Sequence, residues 1–177
     1  MKKGVNLLLI GALVLVSVII AVVLLILFRD DVNDDPRDDF NYDLLEYVEV
    51  YSSGTMMPVS TSYELKKASG TWTATYIKDS HFWDDTESKT VSFKADGDFV
   101  DKVIDLLREN KASKWDGYDV DNKYITDGSV FRFKAVFSDG KTIEARGYMS
   151  EPVNYYSFES GFTELFEPYI NSDGESK

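Results

Sequence analysis

A long apolar run is the strongest hydrophobic pattern in the chain. It extends from Val5 to Phe28, is interrupted by single Asn, Gly and Ser residues, and contains no ionisable side chain. As a helix this run would be about 36 Å long, against a bilayer hydrocarbon core of ~30 Å. A helix also closes its backbone hydrogen bonds internally, as lipid requires. We therefore predict a transmembrane helix over residues 4–28, which binds the protein to the lipid bilayer.

The flanks of this run indicate its retention and its orientation. A cleaved secretory signal, the alternative, has an apolar region of ~7–15 residues and a small-x-small cleavage site, whereas this run is longer and ends in large side chains. Lys2 and Lys3 precede the run, while Arg29 beyond it is followed at once by aspartates. Basic residues near a span stay in the cytoplasm. We predict a single-pass protein of the cell membrane, with residues 1–3 cytoplasmic and the C-terminal domain extracytoplasmic.

An acidic segment of low hydrophobicity follows at residues 29–42. It combines many aspartates with one proline, and it cannot bury enough apolar surface to offset the entropy lost on ordering. We predict a flexible stalk here, with a cation site among its aspartates as the alternative. The polar residues 172–177 predict a disordered tail, which leaves residues 43–171 as one folded ectodomain.

Apolar positions alternate with a period of two after the stalk. Val48 and Val50 fall on one face of the first segment, and Tyr47, Glu49 and Tyr51 fall on the other, as in a half-buried strand. Similar alternation, separated by turn residues, continues along the chain. It predicts a four-strand antiparallel meander at residues 45–51, 59–67, 71–78 and 89–94.

Two helices and a hairpin complete the predicted domain. Asp96 is a fair N-cap, and apolar residues follow it at helical spacing. An aromatic strand, a turn at Gly140 and a returning strand predict a hairpin. Helical spacing returns from Phe158 to Tyr169, where Pro168 should stop or kink the helix. The predicted fold class is α+β: the transmembrane helix, then an antiparallel sheet of about six strands with both helices on one face.

Composition narrows the class of partner. The formal net charge is −12, and all 31 acidic residues follow the apolar run. Nucleic acids and anionic headgroups bind surfaces with clustered Lys and Arg. Because this chain is acidic, we predict no nucleic-acid partner. Cysteine is absent, which excludes a disulfide, a thiol nucleophile and a lipid-modified cysteine. An acidic domain suits a cation or a basic partner.

An aspartate-rich stretch from Lys114 to Gly128 has the spacing of a cation-binding loop. It fails the EF-hand template, because Lys123, Tyr124 and Val130 stand where a ligand, the turn glycine and the closing acid are needed. Asp-Gly turns and burial of Trp115 are the simpler interpretation. A different calcium or cation site is the alternative, and no other cofactor is predicted. Its candidate ligands are Asp116, Asp119, Asp121 and Asp127.

His81 is the only histidine in the chain, so any imidazole-based acid–base mechanism would use it. It is close in sequence to Trp83, in an acidic segment that we predict to be an exposed loop. Neither a Gly-x-Ser-x-Gly elbow nor another part of a triad accompanies it in the sequence. We therefore predict no enzymatic activity and no catalytic residues.

Basic residues alternate with aromatic residues in the predicted hairpin. They would gather on its outer face and could receive an anionic group, although charge balancing is the ordinary explanation. The candidate ligand or partner surface combines these residues with the histidine and two tryptophans. It consists of Trp115, His81, Trp83, Arg132, Lys134 and Arg146, with Lys141 nearby.

The order of short motifs from residue 114 to residue 152 resembles that of a known group of proteins. Lys-Trp-Asp-Gly, Asp-Gly, Asp-Gly-Lys and Glu-Ala-Arg-Gly are followed by Pro152. This layout is similar to an uncharacterised domain family of membrane-anchored, extracytoplasmic prokaryotic proteins. The resemblance extends loosely over residues 44–170 and implies a meander, helix, hairpin and helix, with no activity attached. Many such relatives look like lipoproteins, whereas this chain has no cysteine.

The combined features favour a noncatalytic binding or interaction role at the cell envelope. The partner would be an envelope protein or ligand. A calcium- or cation-responsive ectodomain that uses the loop from Asp116 to Asp127 is the alternative. An enzyme whose carboxylates and tyrosines meet in a cleft is the third hypothesis.

Overall fold

Seven β-strands and two α-helices make up the described part of the chain. The computed structural model describes residues 40–54, 59–80, 88–122, 124 and 128–172. The strands are β1 (Leu45–Ser53), β2 (Val59–Ala68), β3 (Thr71–Ser80), β4 (Lys89–Ala95), β5 (Tyr118–Asp121), β6 (Val130–Phe137) and β7 (Thr142–Tyr148). The helices are α1 (Gly97–Glu109) and α2 (Tyr155–Ser172), and short 3-10 helices occupy Tyr42–Leu44 and Ala112–Trp115.

The predicted membrane span over residues 4–28 lies outside the described residues, as do residues 29–39 of the predicted stalk. Within the described ranges, neither helix combines the length and the apolar character that crossing a bilayer requires.

The strands form one sheet in the order β4-β3-β2-β1-β6-β7-β5. Neighbouring strands from β4 to β7 are antiparallel, whereas β5 runs parallel to β7. The predicted fold class is therefore wrong, because the sheet is mixed and seven-stranded rather than antiparallel and six-stranded. The error lies at β5. Its four residues are too few to show a clear alternation, and pairing with the edge of β7 makes them a strand.

Both helices pack on one face of the sheet. Successive side chains of a strand point to opposite faces, and the inward set shares a single core with the buried positions of α1 and α2. Trp115 meets Phe133 edge to face at a centroid distance of 5.1 Å, and Phe158 of α2 contacts both rings. The Trp115 indole N–H donates to the Val153 carbonyl at 2.9 Å. These contacts attach α2 to β6 through the 3-10 helix.

The sequence predicts that Pro168 stops or kinks α2, and the helix does not stop there but continues to Ser172. Contacts with β4 hold the final turn in place. The Lys89 ammonium donates to the Ile170 carbonyl at 2.6 Å. The rings of Phe93 and Tyr169 stack at a centroid distance of 3.6 Å. Tertiary packing therefore compensates for the hydrogen bond that a proline removes.

Candidate functional site

The sheet face that neither α1 nor α2 covers, here the open face, carries a charged groove. Because β6 alternates strictly, burial of its phenylalanines forces its basic side chains outward. The groove has a volume of about 540 Å³. Six charged side chains line it, and they define the open-face groove: Glu49 of β1, Arg132 and Lys134 of β6, Glu144 and Arg146 of β7, and Asp119 of β5.

Strand register brings these side chains together in two rows across the sheet. One row runs from Tyr51 through Arg132 and Arg146 to Asp119. The neighbouring row holds the remaining groove residues in the order Glu49, Lys134, Glu144, and it is extended by Glu64 on β2. Three groove side chains therefore face a neighbour of the same charge: Arg132 and Arg146 face each other, and Glu49 faces Glu64.

Arg146 is held by Asp119 through two parallel hydrogen bonds. The Nε–Oδ1 distance is 2.8 Å and the Nη2–Oδ2 distance is 2.7 Å. This fork geometry is the strongest common arrangement of a guanidinium and a carboxylate. The hydrogen bond from Arg146 lowers the pKa of Asp119, and the same bond raises the pKa of Arg146. Both groups therefore stay charged at neutral pH.

Lys134 is paired with Glu144 across the hairpin, at an Nζ–Oε1 distance of 2.7 Å. The hydrogen bond to Glu144 raises the pKa of Lys134, and the charge of Glu49 adds to the effect. Glu49 itself faces Glu64 directly across β1 and β2. The Tyr47 hydroxyl lies 3.0 Å from a Glu49 oxygen and 3.2 Å from a Glu64 oxygen, so it donates to this acidic pair. Burial, followed by Glu49, raises the pKa of Tyr47.

Arg132 differs from the other basic residues of the groove. Its guanidinium carbon lies 4.1 Å from the centre of the Tyr51 ring, a favourable cation–π distance. Its cross-strand neighbour on β7 is Arg146, a residue of the same charge. Within the described residues Arg132 forms no ion pair with a carboxylate. Hydrogen bonds from Ser53 and from Arg132 lower the pKa of the Tyr51 hydroxyl.

The predicted cation ligands serve separate purposes. Asp116 accepts the Glu144 backbone N–H at 3.1 Å, which links the turn before β5 to β7. Asp119 binds Arg146, Asp121 is exposed at the end of β5, and Asp127 lies outside the described residues. Where the structure describes the chain, it contains no group of three or more acidic or histidine side chains arranged for a metal ion.

Of the remaining predicted surface residues, the structure describes only Trp115, which does not line the groove. Trp115 is 1% exposed and belongs to the core, so it offers no surface to a ligand. His81 and Trp83 lie outside the described residues. Neither Glu49 nor Glu144 is among the site residues that the sequence predicts. Both occupy outward positions of alternating strands, but only the strand register shows that they reach the basic side chains.

Another cavity, of about 280 Å³, opens beside the start of α2. Ser52, Glu151 and Glu159 are among its walls. Burial is the main cause that raises the pKa of Glu159, and the charge of Glu151 adds to it, against a hydrogen bond from Ser52 that lowers it. The charged form of Glu159 is therefore disfavoured in the folded protein.

Comparison with known proteins adds no assignment. The sequence matches no protein-family model and no curated protein. The resemblance to an uncharacterised extracytoplasmic family therefore stays a prediction.

Proposed function

We propose that the protein is a noncatalytic binding domain at the outer face of the cell membrane, which recognises an envelope component through the open-face groove. The observation that carries this proposal is the groove itself. Its volume of about 540 Å³ lies within the range of ligand sites in proteins. Both helices pack on the opposite face, so neither helix covers the six charged side chains of the groove.

Binding is favoured over acid–base catalysis by the pKa values around the groove. An acid or base that works at neutral pH needs a pKa near 7. The pKa shifts of Asp119, Lys134 and Arg146 all favour the charged forms. The pKa of Tyr47 moves upward, further from neutrality. Stable charges at fixed positions suit recognition of a charged partner.

The proposed location depends on the sequence before the domain. The apolar run from Val5 to Phe28 has the length and composition to enter a bilayer, and Lys2 and Lys3 precede it. A binding domain outside the cytoplasm would meet polymers, proteins or small molecules of the envelope.

A capture experiment tests the binding role. The full chain is immobilised and exposed to solubilised envelope material, beside Arg132→Gln and Arg108→Gln variants. Arg108 is a matched control because it is an exposed arginine on α1, paired with Asp105 and Asp43. We expect one component to be retained by the wild type and by Arg108→Gln, and lost from Arg132→Gln. Equal retention by all three proteins would contradict a role for the groove.

A labelling experiment tests the location. The chain has no cysteine, so a single Ser138→Cys substitution at an exposed turn residue provides one reactive thiol. We expect a membrane-impermeant maleimide to label this variant in intact cells. Labelling only after lysis would place the domain in the cytoplasm and contradict the proposed location.

A further inference from the structure

The charges of the open-face groove do not all find partners within the groove. Asp119 holds Arg146, and Glu144 holds Lys134. Glu49 accepts from the Tyr47 hydroxyl and lies close enough to Lys134 to raise its pKa. The guanidinium of Arg132 has the Tyr51 ring beneath it. Within the described residues, no carboxylate forms an ion pair with this guanidinium.

Arg132 stands beside a second positive charge, which makes its unpaired guanidinium electrostatically unfavourable. Like charges that stand directly opposite each other in an antiparallel ladder destabilise it, and Arg132 stands opposite Arg146. Asp119 neutralises the charge of Arg146 but not that of Arg132. An anionic group placed over the pair would complete the row from Tyr51 to Asp119, because a guanidinium presents a planar fork of donors that fits a carboxylate or a phosphate.

We propose that the open-face groove binds a ligand through a carboxylate or phosphate group seated between Arg132 and Arg146, an assignment that rests on the proposed binding function. Arg132 is the primary contact, because its donors are not shared with a carboxylate of the described chain. Arg146 is the secondary contact, and Asp119 competes for it. The Tyr51 ring supports the Arg132 guanidinium from below.

The size of the groove indicates that the anionic group is one part of a larger ligand. An exposed ion pair contributes little binding in water, and salt weakens it further. A free anion should therefore bind only at about millimolar concentration or above. The groove crosses four strands, from β1 to β5, a width of about 14 Å at ~4.8 Å per strand spacing. The rest of the ligand would contact this remaining surface.

A titration of arginine side-chain signals tests the assignment. The full chain is labelled with nitrogen-15 in detergent solution, and the Nε–H signals are followed on addition of sodium phosphate or sodium acetate at matched ionic strength. An Arg132→Lys variant identifies the Arg132 signal by its disappearance. We expect saturable shifts of the Arg132 and Arg146 signals, and a small, non-saturating shift of the Arg108 signal. Tighter binding of phosphate would indicate a phosphate-bearing ligand, and tighter binding of acetate would indicate a carboxylate-bearing one.

A pair of matched variants tests the competition. Asp119→Asn removes the negative charge beside Arg146, which should tighten anion binding about fourfold, the Coulomb effect of one charge a few ångströms away in a water-like dielectric. Asp105→Asn removes the corresponding partner of Arg108 and should leave the Arg132 curve unchanged. Equal shifts at Arg108 and Arg132, or no tightening in Asp119→Asn, would overturn the assignment.

The two proposals fail in different ways. If capture of an envelope component depends on Arg132, but neither anion shifts the Arg132 signal or competes with capture, the binding function stands and the anionic ligand class is wrong. If the anions bind saturably at Arg132 while capture is the same in every variant, the anion site stands and the proposed envelope-binding function is wrong.

Discussion

The two faces of the sheet are built from the same strands but differ in chemistry. On β6, Phe131 and Phe133 are buried against α2, while Arg132 and Lys134 between them face outward into the groove. The covered face is apolar and aromatic, and its side chains interlock with two helices. The open face carries the charged side chains of the groove together with other polar residues. We therefore expect that substitutions one residue apart on a single strand can alter stability and the proposed binding separately.

The largest expected effect comes from truncating an aromatic side chain of the covered face. Phe158 is 0% exposed and packs on Trp115, Phe133 and Phe162. Phe158→Ala should lower the free energy of unfolding by about 3–5 kcal/mol, because it loses buried area and leaves a cavity. Urea denaturation followed by circular dichroism measures this change.

The matched substitution on the open face is Arg132→Ala, which should change the free energy of unfolding by less than about 0.5 kcal/mol. Similar losses in Phe158→Ala and Arg132→Ala would contradict the division between the two faces.

A smaller effect is expected where the backbone itself packs closely on the covered side. A Cβ atom at Gly147 of β7 would lie 2.0 Å from the Ser150 carbonyl oxygen and 2.5 Å from the Phe131 ring. Gly147→Ala should therefore cost about 1–3 kcal/mol through overpacking. Gly97 is the control, since a Cβ there meets no atom within 4 Å, and Gly97→Ala should be neutral or stabilising. Thermal unfolding of both variants compares them, and a tolerated Gly147→Ala would mean that β7 packs more loosely than described.

A pH-dependent effect is expected from Glu159, whose raised pKa results mainly from burial. A folded-state pKa above the unfolded value gives stability that is present at low pH and is lost as pH rises through the folded pKa. Glu159→Gln should therefore raise the melting temperature at pH 7, and the gain should shrink toward pH 4. Glu167→Gln, an exposed position on the same helix, should show no such pattern. A gain of equal size at both pH values would exclude ionisation of Glu159 as the cause.

Local sequence patterns predicted much of the covered face. Alternation located β1 to β4 and the hairpin, and the start of α1 is confirmed, because Asp96 accepts the Phe99 backbone N–H at 2.9 Å. Such features depend on neighbouring residues, which the sequence displays directly. The last turn of α2, beyond Pro168, contacts β4, and these distant contacts are not visible in the local sequence, where a proline predicts a stop or a kink.

The open-face groove could be predicted only in part. Alternation placed Arg132, Lys134 and Arg146 on an outer face, as a small basic group. The carboxylates that neutralise two of them come from a parallel strand and from cross-strand register, which local patterns do not encode. The pairing of Asp119 with Arg146 in particular requires β5, whose residues belong to the predicted aspartate-rich loop.

One measurement tests most directly whether the open face binds a partner while the covered face provides stability. It compares capture and the urea unfolding midpoint of Arg132→Gln on the same preparation. We predict that this variant loses the envelope component while its urea midpoint stays at the wild-type value. Retained capture, or a loss of capture accompanied by a clearly lower midpoint, would contradict the claim that the open face recognises a partner independently of the covered face.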